Sequence, residues 1–215
     1  MNNYIREPIN GLTHLVGALL SFIGLIALVI KTSITQPTVI ALTAVIIFGI
    51  SMILLYSASA TYHMVISSPK VISFLRRLDH SMIFVLIAGS YTPFCLIALN
   101  NLTGWMLFAL IVLAAVGGVF FKLIWFNCPR WISTLMYVAM GWVSIFMISP
   151  LYEVLSSRGI GLLILGGVFY TIGALIYALK PKSLNFKYLG FHEIFHIFIM
   201  LGSLSHFICV FNYVL

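Results

Sequence analysis

His192 and His196 lie four residues apart inside a strongly apolar stretch near the end of the chain. On a helix this spacing sets both imidazoles on one face, one turn apart, where they can share one ion. Zinc takes neutral imidazole readily, and a catalytic zinc commonly uses three protein ligands and leaves a fourth position to water. His63, at the end of another apolar stretch, is the best third ligand. Asp79 has the carboxylate to coordinate directly or to hold the water on the metal. Ser59, one turn before His63, most often bonds back to its own helix backbone in such a position. The chemistry this set suggests is an imidazole-held zinc with a water in its open position.

His192-Glu193-Ile194-Phe195-His196 also fits the H-E-x-x-H helix of zinc proteases, in which the glutamate is the general base. That arrangement ordinarily draws its third ligand from further along the chain. No Asp or Glu follows Glu193, and the extended pattern H-E-x-x-H-x-x-G-x-x-H fails at Ile199 and Gly202. The third ligand therefore comes from upstream, which favours His63. Glu193 is turned about 100° from His192 on an ideal helix, so it ranks below Asp79 as the carboxylate near the metal. His14 and His80 read as supporting or structural residues, and His206 as a packing residue. Glu7 and Asn10 read as the cap of the first span, where negative charge favours a helix N-terminus.

The elements that position these residues must sit in a membrane. Of 215 residues, 62% are hydrophobic and only 7% charged, and the mean hydropathy is +1.17. Soluble domains carry roughly 25% charged residues, so a soluble enzyme, a disordered chain and a nucleic-acid binder are excluded. A spanning helix needs about 20 apolar residues. Breaks rich in Lys, Pro, Asn and Ser divide the chain into seven such blocks, at about 12–30, 39–66, 80–99, 104–124, 131–151, 159–179 and 192–214. The expectation is an all-α protein, a single seven-helix transmembrane domain over residues 1–215 with no separate soluble domain. Cys95, Cys128 and Cys209 show no C-x-x-C spacing, so neither a disulfide framework nor a thiolate metal site is expected.

Seven spans put the two termini on opposite sides. Arg6, Lys70, Arg76, Arg77, Lys122, Arg130, Lys180, Lys182 and Lys187 fall on the N-terminal side, against Lys31 and Arg158 on the other. This is a strong positive-inside bias, which places the N-terminus in the cytoplasm and the C-terminus outside. His14, His63, His80, His192 and His196 all fall on the cytoplasmic side, together with Glu7, Asp79 and Glu193. Ionisable groups in a bilayer are costly and rare, so a shared site explains the clustering better than separate solvation. His206 lies ten residues beyond His196, about 15 Å along a helix axis, and belongs to the outer half. Pro93 and the pairs Gly117-Gly118 and Gly166-Gly167 suggest kinks or close helix contacts.

Several pieces of the sequence, in order, resemble the hemolysin III family, within the larger group that includes progestin and adiponectin Q receptors. They are Glu7-Pro8-Ile9-Asn10-Gly11-Leu12-Thr13-His14, Ser59-x-x-x-His63, and Asp79-His80-Ser81 running into Ala88-Gly89-Ser90-Tyr91-Thr92-Pro93-Phe94. The last is His192-Glu193-Ile194-Phe195-His196, with Gly202 and His206-Phe207 downstream. The resemblance implies seven helices, a cytoplasmic N-terminus and zinc held by His63, His192 and His196. It also implies Asp79 near the zinc water and Ser59 beside the site. The related alkaline ceramidases share a similar Ser, Asp and three-His arrangement and hydrolyse a lipid amide. The chain lacks the long N-terminal extension of the animal receptors, so their ligand responses are not expected here.

Three functions are then open. The first is a zinc-dependent hydrolase of a membrane lipid amide or ester, with the lipid as substrate, Asp79 accepting the proton of the attacking water and Ser59 donating a hydrogen bond to the oxyanion. The second is a non-catalytic sensor or regulator in which zinc staples two spans and a lipid is the ligand. The third is a cytolysin acting as an oligomeric pore. A monomeric pore is disfavoured because a conducting path needs polar lining throughout, and the outer half offers little beyond His206 and scattered Ser and Thr. Anionic lipid headgroups are expected partners at the cytoplasmic face.

Overall fold

The computed structural model describes residues 4–184, 186 and 189–215. Lys187, one of the nine basic residues that set the expected orientation, lies outside them. The described residues are all helical or in connections, with no strand among them, and seven helices are long and apolar enough to cross a membrane. The elements are α1 (Pro8–Thr35), α2 (Val39–Met64), α3 (Pro69–Pro93), α4 (Leu102–Ile124), α5 (Arg130–Trp142), α6 (Ile145–Tyr152), α7 (Ser157–Leu179) and α8 (Phe191–Cys209). Helices α5 and α6 together make one span, Arg130–Tyr152.

Helix α3 starts at Pro69, well before the apolar block that begins near His80. Proline suits the first turn of a helix, where its missing N–H leaves nothing unsatisfied. Lys70, Arg76 and Arg77 then continue the helix without continuing the apolarity. Hydropathy marks where a chain is apolar, and a helix can begin earlier. At its other end α3 passes through Pro93 into a π-helical turn, Phe94–Leu99, which Asn100 closes at φ 38°. The kink expected at Pro93 thus takes the form of a widened terminal turn.

The fifth span is broken at Val143-Ser144, a feature that the apolar block did not announce. The break frees carbonyls that a continuous helix would pair. The Tyr91 hydroxyl donates to two of them, Met140 O at 2.9 Å and Gly141 O at 2.7 Å. In a bilayer such satisfaction has to come from protein, because no water is at hand.

Contact between helices is most extensive where α1 meets α2, α2 meets α3, and α7 meets α8. Of the two glycine pairs, one member of each is used. Gly118 takes the Phe84 ring against its backbone and Gly166 takes the His206 ring, while Gly117 and Gly167 have open space beside them. Small residues at such crossings let helices approach closely. Polar ties then cross the bundle. The Tyr56 hydroxyl donates to Ser203 Oγ at 2.7 Å, and Tyr170 shares the same oxygen at 2.8 Å, joining α2, α7 and α8. At the far end, Lys31 Nζ donates to the Phe211 carbonyl and Gln36 Nε2 to the Val214 carbonyl at 2.9 Å. These two side chains satisfy the π-helical turn, Val210–Val214, that ends the chain.

Candidate metal centre

Two helices contribute the three imidazoles. His63 lies in the last turn of α2, and His192 and His196 lie in the first turns of α8. One nitrogen from each ring lies within 4.8 Å of the other two. Ring centroids are 5.1 Å apart for His63 and His192, 5.0 Å for His63 and His196, and 4.7 Å for His192 and His196. His63 and His196 are 1% and 2% exposed. His63 Nε2, His192 Nε2 and His196 Nδ1 are buried with no hydrogen-bond partner among the described residues. Buried polar atoms left without partners are uncommon, because each carries a desolvation cost. Three of them side by side are what a cation with borderline-soft preferences can satisfy.

Glu7 has a different role from the one its position suggests. It precedes α1, but its side chain makes no capping bond there. The helix starts on Pro8, and the segment before it lies along the end of α2, with Glu7 N donating to the His63 carbonyl at 2.9 Å. Glu7 Oε2 accepts from His63 Nδ1 at 2.6 Å. A carboxylate can only accept here, so Nδ1 carries the proton and Nε2 is left as the free lone pair. Such a carboxylate–imidazole bond fixes the tautomer and orientation of a ligand and raises its basicity. In return, the bond from His63 holds the Glu7 carboxyl below the usual carboxylate range, against the opposing pull of burial.

Asn10 also leaves the capping role. Its Nδ2 donates to Glu193 Oε1 at 2.9 Å and to Glu7 Oε2 at 3.4 Å, bridging α1 to α8. Glu193 Oε2 accepts from the Gly190 N–H at 2.8 Å, closing the start of α8. Both oxygens of Glu193 are therefore engaged away from the imidazoles, which disfavours the protease arrangement of H-E-x-x-H. His14 was expected only as a supporting residue, and its contact is closer than that word implies. Its ring stacks on His196 with centroids 3.6 Å apart and planes 9° from parallel, and both its nitrogens are buried without partners.

Asp79 and Ser59 line the same cavity as His14, His192 and His196, a space of about 320 Å³ with mostly apolar walls. Asp79 is outside the close group of three imidazoles. Its position suits a group acting on something in the cavity better than a direct ligand. His80 lines the cavity too. His206 lines the cavity as well, apart from the three imidazoles, with Nε2 donating to the Leu163 carbonyl at 3.2 Å and Nδ1 buried without a partner.

Known proteins resemble this chain over nearly its whole length. The family model described as haemolysin-III related matches residues 2–207. Hemolysin-3 of Bacillus cereus is 43% identical over 218 residues, covering 100% of this chain and 95% of the relative. The Hemolysin-3 homolog of Bacillus subtilis (strain 168) is 39% identical over 210 residues, covering 97% of this chain and 95% of the relative. With seven apolar helices and a match of this extent, the chain is a multi-pass protein of the cell membrane and belongs to the haemolysin-III related family.

Proposed function

We propose that His63, His192 and His196 hold one zinc ion, and that the cavity beside them is where a membrane lipid amide or ester is hydrolysed. The observation that carries this reading is the shared cavity: unpartnered imidazole nitrogens, a carboxylate and a buried hydroxyl open onto one apolar chamber. Bound there, zinc supplies Lewis acidity toward a carbonyl and a lowered pKa for water. The chain's own residues do the rest. Glu7 holds His63 in the tautomer that presents Nε2 and offsets part of the positive charge. Asp79 accepts the proton of the attacking water on a carboxylate oxygen. Ser59 donates its hydroxyl to the oxygen on which charge develops. The apolar walls hold the acyl chain and exclude bulk water.

The test is a screen of purified protein against lipid amides and esters, with metal content measured on the same sample. Fatty acid release should stop when a chelator strips the zinc and return when zinc is restored. One zinc per chain with no release from any lipid would overturn the hydrolase reading and leave a zinc-stapled sensor.

We also propose that the histidine end faces the cytoplasm, on the strength of the charge bias. Ser157 and Ser183 are exposed on opposite sides in this arrangement, and Cys95, Cys128 and Cys209 are buried. In intact cells Ser157→Cys should react with an impermeant maleimide, and Ser183→Cys only after permeabilisation. The opposite pattern inverts the topology.

A further inference from the structure

The charges at the mouth of the cavity do not balance. Arg76, Lys122 and Arg130 all line it, and Asp79 is the one carboxylate among its lining residues. Ion pairs among the described residues are confined to Glu7, with Arg6 and His63. Glu193 is held by Asn10 and the Gly190 N–H. Lys122 is 3% exposed, and its one hydrogen bond among the described residues goes to Cys128 Sγ at 3.5 Å. A buried ammonium without a charged partner is costly.

Its neighbours raise that cost. The cationic groups of Arg76, Arg77 and Lys122 lie 5.2, 5.1 and 5.9 Å from the centroid of one ring, Phe126. A ring face attracts cations but has no net charge, so it does not neutralise three of them. Arg130 lies 4.8 Å from the Tyr177 ring centroid and donates to the Tyr177 carbonyl at 3.3 Å. The His80 ring bridges these two aromatic groups, 6.0 Å from Phe126 and 6.5 Å from Tyr177. Arg130 also opens α5, which has neither a side-chain cap nor an acidic residue in its first turn. Ser133 in that turn and Thr134 just after it line the cavity, so the positive end of the helix dipole adds to the same place.

An anion completes this set. We infer that Arg76, Lys122 and Arg130 bind a phosphate group at the histidine end of the cavity, with an attached acyl chain occupying the apolar remainder. The three cations come from α3, α4 and α5, which suits a tetrahedral anion with several oxygens. The two guanidinium forks match phosphate oxygens, and the lysine serves as a point charge. Arg76 is exposed at the rim, which leaves a way in for the headgroup. Tyr177 stands between this place and the imidazoles, its ring 5.9 Å from that of His192. The inference holds whether or not the cavity cleaves its occupant. Phosphate on a lipid and free phosphate present the same oxygens to these cations, and the chain attached to the lipid tells them apart.

The test titrates purified full-length protein in neutral detergent with fluorescent lysophosphatidic acid and with monoacylglycerol of the same chain. The phosphate-bearing lipid should bind about tenfold tighter. Lys122→Met and Arg130→Gln should bring that preference close to unity and leave monoacylglycerol binding unchanged. Lys122→Met removes an unpaired buried charge while keeping the side-chain volume, so this variant should fold. Inorganic phosphate at the concentration of the lipid should not displace it. Equal binding of both lipids by the unaltered protein, or an undiminished preference in the Lys122→Met/Arg130→Gln double variant, overturns the site. Full displacement by equimolar inorganic phosphate overturns the lipid source and assigns the site to free phosphate.

Discussion

Alanine at His63, His192 or His196 should take the zinc content of the purified protein from about one ion per chain to near zero. The loss follows from the geometry, because each ring supplies one of three clustered nitrogens and no carboxylate joins them at that distance. Losing a hydrogen-bond partner of a ligand typically costs about 10- to 100-fold in metal affinity, and losing a ligand itself costs more. Glu7→Ala should therefore weaken zinc by about 10- to 100-fold, since His63 loses the acceptor that fixes its tautomer. His206→Ala should keep full occupancy, because that ring is bonded to the Leu163 carbonyl in another part of the bundle. Elemental analysis of each purified variant, with folding checked by circular dichroism, decides the matter. Stoichiometric zinc in a His192→Ala/His196→Ala double variant would remove the assignment and the hydrolase with it.

Asp79→Asn should behave in the opposite way, keeping zinc and losing turnover. Asparagine matches the size of aspartate but cannot take the proton. General-base contributions are typically about 10²- to 10⁴-fold, and a loss in kcat of that order is expected. Ser59→Ala removes one donor to the developing oxyanion, a change that typically costs about 10²- to 10³-fold, with KM little altered. Both side chains line the cavity without joining the imidazole group, so the metal should stay in both variants. Rates and metal content should be measured on the same preparations. Full turnover by Asp79→Asn would reject its role as base.

The seven spans were legible because a bilayer imposes one requirement, long apolar runs between polar breaks, and a run of residues displays it directly. The three imidazoles were legible for a related reason. The i, i+4 spacing of His192 and His196 is local, and span counting put His63 at the same end. What escaped was contact between distant parts of the chain. Glu7 looked like a cap because a glutamate before a helix ordinarily acts on its own first turn, but its partner is 56 residues away. The stacking of His14 on His196 depends on the angle between α1 and α8, which periodicity does not contain. The basic residues Arg76, Lys122 and Arg130 served as topology signals, and their convergence around Phe126 and Tyr177 follows only from the packing of three helices. The break between α5 and α6 is hidden because one serine, Ser144, does not interrupt the apolar run on either side of it; the Tyr91 hydroxyl that makes the break tolerable comes from another helix.

The bond between Asn10 and Glu193 joins residues 183 positions apart, nearly the two ends of the chain. Chains are made N-terminus first, and their early parts fold while later parts are still being synthesised. Glu7 and His63 can therefore meet on the nascent chain soon after α2 is inserted, but His192 and His196 arrive only with the last helix. The imidazole cluster is the final joint of the assembly, closed after every other span is in place. A ribosome that stops between the end of α7 and Phe191 leaves a membrane protein with six spans and one imidazole of the three, so completion of the cluster doubles as a record that translation has reached the seventh span.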